Sequence, residues 1–220
     1  MRSAVNRDKF EDALAGALQA FDGPSPVTAQ VRHHVTRGVE ADRRARLRMQ
    51  LVVAVAAEEG GSTDAALDVA CAVELLNEST IVHRDIEVER HVRDRRSTLW
   101  AEFGLAHGIN AGDALNAIAY LHLLSDRRRD AALTVRMTRA LQAASYDGTT
   151  AALVGAACEL GALSAGAPAG RAVAYGALGR SCALAGQTER AVTSNVWAEA
   201  DAIAAAAEID REGRIRAMFA

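Results

Sequence analysis

Apolar residues recur at helical spacing along most of the chain. The spacing from Phe10 to Phe21 predicts a first helix, which the turn residues Asp22–Pro26 end. A second helical segment begins near Pro26, passes through an arginine-rich stretch and continues into Leu51–Ala57, where Gly60-Gly61 ends it. Strand-like alternation is absent from these segments, so the pattern predicts an all-α fold.

The longest predicted helix follows Ser62-Thr63-Asp64 and continues to about Arg90. The polar, arginine-rich segment His91–Thr98 predicts a loop or a frayed helix end. We expect the central helix, Asp68–Arg90, to pack against Asp113–Leu124 and Thr150–Leu163. The later helices are predicted over Leu99–Phe103, Ala111–Leu124, Ala131–Ala144, Thr149–Ala165, Arg171–Ala185 and Thr193–Phe219.

Composition agrees with a single helical domain over residues 1–220. Hydrophobic residues make up 50% of the 220 residues but aromatic residues only 4%, so the core is built from aliphatic side chains. The formal net charge of -3 argues against a nucleic-acid-binding surface. Lys9 is the only lysine, which leaves no other position for lysine Schiff-base chemistry.

The three cysteines indicate a reducing compartment. Cys71, Cys158 and Cys182 are scattered and flanked by small apolar residues, a pattern typical of reduced, buried thiols. The N-terminal residues lack the apolar core of a signal peptide, and the longest apolar run, Leu51–Ala57, is too short to span a bilayer. We therefore expect a cytoplasmic protein without a membrane span.

Several short motifs stand in a characteristic order and spacing, namely Arg46–Arg48, Leu75–Ile86, Arg93–Gly104, Ala111–Leu115, Thr150–Leu153 and Tyr175–Arg180. Together they resemble the polyprenyl synthetase (trans-isoprenyl diphosphate synthase) family. That family shows GKRLRP, ELLHxASLIHDDxxD, RRGxPTxHxxFG, AGDxLL and KTAAL at the first five segments in turn, and Tyr175–Arg180 resembles the approach to its second aspartate-rich motif. The resemblance covers roughly residues 40–190 and implies a helical bundle of the isoprenoid synthase fold.

The same resemblance shows where the chain departs from the family. Family members hold Mg²⁺ on two aspartate-rich motifs, and the metal neutralises a departing diphosphate. The first motif needs carboxylates at i and i+4, but Arg84 and Val88 stand there. The second motif falls on Cys182–Gln187, which contains no carboxylate. The regions after Leu124 and after the second motif are also shortened, so we expect a truncated bundle with degenerate metal sites.

The replacements suggest an anion site that works without metal. Arg84 replaces a negative ligand with a guanidinium, which can hold a diphosphate through two hydrogen bonds. Together with Arg46, Arg93, Arg95 and Arg96 it predicts a diphosphate-binding pocket. Scattered surface arginines are the alternative interpretation.

The remaining acidic residues at this helix end are weak metal candidates. Asp85 and Glu89 lie one helical turn apart, but alternating charges at a helix end are usually solvated. We therefore expect weak or absent magnesium binding and no cofactor, with Mg²⁺ involved only if the chain is an active enzyme.

Four further residues take their roles from the resemblance. His83 and Asp113 are predicted to be structural or orienting residues, and a buried Asp113 paired with an arginine is the alternative. Ser79 and Thr80 stand where family members limit the growing isoprenoid chain, and their small size predicts an open chain tunnel.

Three functional hypotheses follow. The first is a non-catalytic or auxiliary protein of isoprenoid metabolism that binds an isoprenoid diphosphate or a catalytic homologue. The second is an active, atypical prenyltransferase or terpene cyclase that holds the diphosphate with arginines. The third is a diverged helical interaction protein with no isoprenoid role.

Association with a second chain is also expected. A bundle that has lost helices leaves apolar surface to cover, so the pattern predicts a homodimer or a heterodimer with a catalytic homologue. The expected contact is formed by the alanine-rich helices Ala111–Leu124 and Ala131–Ala144.

Overall fold

The structure, a computed structural model, describes residues 7–23, 25–36, 46–127, 129–186, 200–210 and 213–219. Within these ranges it is an all-α bundle with one very short hairpin. The elements are α1 Arg7–Gln19, α2 Pro26–Val35, α3 Leu47–Glu58, α4 Thr63–Glu87, β1 Val92–Arg93, β2 Arg96–Ser97, α5 Leu99–Phe103, α6 Leu105–Ser125, α7 Ala131–Asp147, α8 Thr150–Ser164, α9 Ala169–Ala185, α10 (200–206) and α11 Arg214–Ala217.

Helix α4 lies at the centre of the bundle. Its apolar residues are buried around most of its circumference, so it packs against α3, α6 and α8 at once. This arrangement confirms the predicted contacts of the central helix with the segments Asp113–Leu124 and Thr150–Leu163. The hydrophobic core is built mainly from alanine, leucine and valine, as the composition indicated.

Small residues allow α8 to approach its neighbours closely. A Cβ atom on Gly161 would lie 2.5 Å from the backbone oxygen of Val52 in α3. A Cβ atom on Gly179 of α9 would lie 2.6 Å from the Sγ atom of Cys158. Real side chains avoid such distances, so these glycines set the spacing of the α3, α8 and α9 layer.

The structure differs from the sequence-based helix boundaries in four places. The segment predicted as one helix from Pro26 to Ala57 forms two helices, α2 and α3, and residues 37–45 lie outside the described ranges. Helix α6 begins at Leu105, six residues before the predicted start, because Gly104 with φ of 93° separates it from α5. The segment His91–Thr98 forms the β1–β2 hairpin, and α10 and α11 replace the described part of the predicted helix Thr193–Phe219.

Among the helices of the described ranges, none combines the length and the apolar character that crossing a membrane requires.

Candidate functional site

The C-terminal end of α4 carries the one aspartate that the first acidic motif retains. The Asp85 side chain is only 2% exposed. The Arg93 side chain reaches it from strand β1, and Arg93 Nε donates to Asp85 Oδ1 at 3.1 Å and to Oδ2 at 3.0 Å. The Arg93 Nη2 group donates to Asp85 Oδ1 as well. A buried carboxylate is thus neutralised by a guanidinium from the hairpin.

The hairpin turn places Arg93 opposite Asp85. The two tip residues, Asp94 and Arg95, have φ values of 50° and 64°, the left-handed conformation that a tight two-residue turn requires. The hydrogen bond to Asp85 raises the pKa of Arg93 above its ordinary value, and it outweighs the opposing effect of lost solvation. The Asp85–Arg93 pair therefore favours the charged form of Arg93.

The other arginines predicted at this end lie on the surface. Arg84, Arg95 and Arg96 are exposed, and so are the acidic residues Glu87 and Glu89. The end of α4 is consequently a surface of mixed charge rather than an enclosed basic pocket. The predicted diphosphate role of these arginines stays a prediction, and exposed guanidinium groups are free to move toward an anion.

Arg46 lies elsewhere, in a buried polar cluster beneath α1 and α2. Its side chain is 4% exposed and donates to Glu11 at 2.9 Å and to Glu78 at 2.7 Å. It also donates to Glu74 Oε1 at 3.3 Å and to the Val35 carbonyl oxygen at 3.1 Å. We define these residues, with His34, as the Arg46 cluster. The guanidinium that was predicted to bind diphosphate is thus surrounded by carboxylates of α1 and α4.

The pKa values of the two glutamates of the Arg46 cluster shift in opposite directions. Burial raises the pKa of Glu74 above its ordinary value, and the neighbouring Glu78 carboxylate raises it further. Burial also acts to raise the pKa of Glu78, but His34, whose Nε2 atom lies 3.0 Å from Glu78 Oε2, and Arg46 outweigh it and lower that pKa. The cluster therefore stabilises the charged form of Glu78 more than that of Glu74.

The contact between α4 and α6 holds the residues predicted for the chain tunnel. The Ser79 hydroxyl is buried and donates to the Gly112 carbonyl oxygen of α6 at 2.8 Å. The Thr80 hydroxyl donates to the Leu76 carbonyl oxygen of its own helix at 3.1 Å. Both hydroxyls donate to backbone carbonyl oxygens of helices, so the part that these residues would play in a chain tunnel stays a prediction.

His83 and Asp113 face each other across the same contact. His83 Nε2 lies 3.4 Å from Asp113 Oδ1, and the His83 ring lies so close to Gly112 that a Cβ there would be 2.5 Å from Nε2. Asp113 is exposed and faces a histidine, so the alternative of a buried aspartate paired with an arginine is wrong. The orienting role of both residues stays a prediction.

Three segments that carry the family resemblance meet in one cavity beside the start of α3 and the end of α9. Arg48 of α3, Thr150 of α8 and Gly186 after α9 line one cavity of about 160 Å³. The rest of its lining is apolar, and two of its residues come from the end of the described chain. The complete lining is Leu47, Arg48, Thr150, Val154, Ala183, Gly186, Met218 and Phe219.

Among the described residues, neither the end of α4 nor the end of α9 offers a donor set that suits Mg²⁺. Magnesium prefers oxygen ligands, chiefly carboxylates and water. Across the residues that the structure describes, no three His, Cys, Asp or Glu side chains form a group that could hold a metal. The buried Asp85 carboxylate is already bound by Arg93, and the side chains that line the cavity include no carboxylate. The residues described at these ends therefore do not fit the magnesium clusters that the family resemblance implies.

Sequence reasoning missed the partners of Arg46 and the residues that close the cavity. Glu74 and Glu78 stand at i and i+4 among apolar neighbours, a spacing that signals two carboxylates on one buried face. No local signal connects them to Arg46, which is 28 and 32 residues earlier in the sequence. Nor does any local pattern place Met218 and Phe219 beside Arg48.

Comparison with known proteins gives a consistent result. The family model described as Polyprenyl synthetase matches residues 41–147. The chain is 33% identical over 167 residues to a geranylgeranyl diphosphate synthase of Mycobacterium tuberculosis (strain ATCC 25618 / H37Rv), an alignment that covers 64% of this chain and 47% of that protein. The chain thus spans about half the length of this relative.

A second relative is named as one subunit of a heterodimer. The heterodimeric geranylgeranyl pyrophosphate synthase large subunit 1, chloroplastic, of Arabidopsis thaliana is 33% identical over 98 residues, which cover 44% of this chain and 26% of that protein. Among solved structures, a geranylgeranyl pyrophosphate synthase superposes with a TM-score of 0.73 and 20% identity, over 82% of this chain and 61% of that chain. The superposition confirms the isoprenoid synthase fold in a shortened form.

Proposed function

Because the chain belongs to the polyprenyl synthetase family, we propose that it is a non-catalytic or auxiliary member, which associates with a catalytic homologue and binds an isoprenoid diphosphate. The observation that carries this proposal is the buried Asp85–Arg93 ion pair. The one carboxylate retained in the first acidic motif is bound by a guanidinium on both of its oxygens.

Binding an allylic diphosphate and ionising it require different arrangements of positive charge in the protein. An allylic diphosphate ionises when positive charge stabilises the leaving group, and metal ions held by carboxylates usually supply that charge. Here Arg93 already compensates the charge of Asp85, and Arg84 adds a fixed positive charge one residue earlier. At the end of α9, where the family resemblance places the second acidic motif, the residues that line the cavity include no carboxylate. The arrangement favours holding an anion over ionising it.

An exposed apolar stripe on α6 supports association with another chain. Leu105, Ile109, Leu121 and Leu124 are each at least 41% exposed on this one helix, and Val135 of α7 is 59% exposed. Apolar side chains concentrated on one helix indicate a surface that a partner covers. The Arabidopsis relative named as a heterodimeric large subunit makes a catalytic homologue a reasonable partner. A homodimer would use the same stripe.

Product analysis tests the proposal. The purified chain is incubated with farnesyl diphosphate, isopentenyl diphosphate and Mg²⁺, alone and with a catalytic homologue from the same source. We expect no turnover by the chain alone and a changed rate or chain length when the homologue is present. Turnover by the chain alone would contradict the proposal.

A matched pair of variants tests the interface. Leu121→Glu places a charge in the α6 stripe and should abolish the effect on the homologue. Val173→Glu places the same charge at an exposed apolar position of α9, 58% exposed, and should leave the effect intact. Equal effects of the two variants would exclude the α6 stripe as the contact.

One observation favours a second candidate, an active enzyme that holds the diphosphate with arginines. Arg84, Arg95 and Arg96 are exposed around the same helix end, where they can approach an anion together. In that case the chain alone would turn over an allylic diphosphate, and Arg84→Ala would abolish the activity.

A further inference from the structure

The cavity at the α3, α8 and α9 end is lined in part by the last described residues of the chain. Met218 and Phe219 follow α11 and lie opposite Arg48, Thr150 and Val154. Both residues are partly buried and pack against the hydrophobic core. A C-terminal segment thus supplies apolar side chains to a cavity that three bundle helices form.

We propose that residues 213–219, the C-terminal plug, close one side of this cavity and control the access of ligands to it. The inference goes beyond the proposed function, because it concerns access to the cavity and holds whether or not the chain has a partner or an activity. Displacing the C-terminal plug would enlarge the apolar space beside Arg48, so that a ligand could replace Met218 and Phe219.

The C-terminal plug is attached through a few identifiable contacts. Ile215 is fully buried and anchors it to the core. Asp210 caps α11 by accepting hydrogen bonds from the backbone nitrogens of Ile215 at 2.9 Å and Arg216 at 3.3 Å. The Asp210 backbone nitrogen donates to Glu58 Oε1 of α3 at 2.6 Å. The plug is therefore held by one apolar anchor and a short chain of polar contacts.

Arg171 of α9 holds the residues just before the plug. Its guanidinium donates to the carbonyl oxygens of Ala207 at 3.0 Å and Glu208 at 3.3 Å, and its Nε donates to Glu59. The bond to Glu208 is exposed and the other two are partly buried, so water competes most for the bond to Glu208. Attachment of this kind is reversible.

Strain and like charge oppose the attachment. Glu208 and Asp210 have φ values of 53° and 48°, a left-handed conformation that is unfavourable for residues other than glycine. The Asp210 carboxylate also raises the pKa of the partly buried Glu58 and so adds to the cost of keeping Glu58 charged there. The segment that leads into the C-terminal plug thus stores unfavourable energy that its release would remove.

The lining of the cavity indicates the class of ligand. Leu47, Val154 and Ala183 offer an apolar surface, and Arg48 is its one charged residue. Arg48 Nε is buried and has no hydrogen-bond partner among the described residues. Buried donors usually have a partner, so an apolar molecule with an anionic group would satisfy both the surface and Arg48.

Titration with 1-anilinonaphthalene-8-sulfonate, an apolar fluorophore with one sulfonate, tests the proposal. The Met218→Ala/Phe219→Ala variant should bind the fluorophore about tenfold more tightly than the unaltered chain. Adding Arg48→Ala should remove most of that gain. The matched control Val173→Ala, which shortens an exposed apolar residue of α9 outside the cavity, should bind like the unaltered chain. No gain, or a gain that survives Arg48→Ala, would overturn the proposal.

Hydrogen exchange of the unaltered chain gives a second test that does not depend on a variant. The Ile215 amide is bonded to Asp210, and the Ile215 side chain is fully buried against the core while the C-terminal plug is docked. Saturating fluorophore should therefore accelerate its exchange severalfold, while buried amides of α4 exchange at an unchanged rate. Binding of the fluorophore without acceleration at Ile215 would show that the plug stays in place and would refute the mechanism.

Discussion

The ends of α4 and α9, which correspond to the two acidic motifs in the family resemblance, differ in what their side chains contact. At the end of α4, Asp85 remains and is neutralised by Arg93. At the end of α9, carboxylates are absent from the corresponding sequence, and an apolar cavity lined by Met218 and Phe219 lies there. The end of α4 is stabilised by an ion pair, and the end of α9 is stabilised by apolar packing.

This difference has consequences for stability and for evolution of function. A buried ion pair is costly to break on one side only, because the remaining charge is left without a partner. The stability that an apolar contact between closely packed helices contributes depends on how well the side chains fill the space between them, and it is insensitive to salt. Restoring carboxylates at the α9 end would therefore require new space, whereas the α4 end already contains a carboxylate.

The largest effect is expected at the packed end. Gly179→Ala would place a Cβ atom 2.6 Å from Cys158 Sγ and 3.1 Å from the Val154 carbonyl oxygen. We expect the free energy of unfolding to fall by about 3 kcal/mol, independently of salt. Chemical denaturation at two salt concentrations measures it.

Gly170→Ala is the matched control on the same helix, because no atom from elsewhere in the described fold lies within 4 Å of the position that its Cβ would take. It should leave the stability unchanged or raise it by up to about 1 kcal/mol. Equal losses for Gly179→Ala and Gly170→Ala would contradict the importance of close packing at this end.

A smaller loss is expected when the ion pair at the α4 end is broken. Arg93→Ala leaves the buried Asp85 carboxylate without its main partner and should lower the free energy of unfolding by about 2 kcal/mol, since Arg93 is partly exposed. Combining it with Asp85→Asn should recover more than half of the loss, which a double-mutant cycle measures. Arg95→Ala, on the same hairpin but exposed, should change stability by less than about 0.5 kcal/mol. If the stability changes of Arg93→Ala and Asp85→Asn simply add in the double variant, the two side chains do not form a stabilising ion pair.

The sequence predicted the helices well because their apolar residues follow the helical period over many turns. Helix α4 is the clearest case, as its period continues from Leu67 to Ile86. The β1–β2 hairpin could not be predicted, because strands of two residues are too short to show alternation. Tertiary contacts, not local pattern, create it.

The candidate site was predictable only in part. The resemblance correctly identified the family, while the degeneracy of its acidic motifs stays a prediction. It could not show that Arg93 binds Asp85 or that Arg46 binds Glu74 and Glu78, since ion pairs between distant segments leave no periodic signal. Charge at a position is visible in a sequence, but its partner is not.

The smallest predicted effect concerns the pH dependence of stability at Glu58, the last residue of α3. Burial raises the pKa of Glu58 above its ordinary value, and the carboxylates of Asp210 and Glu59 raise it further, although the Asp210 backbone and Tyr175 hydrogen bonds oppose the shift. The neutral form is therefore favoured in the folded state. This contribution to stability is complete below the unfolded pKa of about 4.3 and is lost as the pH rises through the higher folded pKa.

Replacing Glu58 tests the sign of this effect. The Glu58→Gln variant has no carboxyl group to ionise at this position. Its free energy of unfolding, relative to that of the unaltered chain, should therefore rise by less than about 1 kcal/mol as the pH is raised from about 4 toward 8. Glu87→Gln, an exposed carboxamide substitution on α4, is the control and should show no such trend. Thermal unfolding across this pH range measures both, and a relative stability of Glu58→Gln that falls with pH would reverse the assignment.

The central claim is that this chain holds an isoprenoid diphosphate without the metal clusters of its family, and calorimetric titration tests it most directly. Farnesyl diphosphate is titrated into the chain and into Arg84→Ala, each with and without Mg²⁺ and at two salt concentrations. We expect binding that needs no Mg²⁺, weakens as salt rises and is lost in Arg84→Ala. Binding that requires Mg²⁺ and survives Arg84→Ala would contradict the claim.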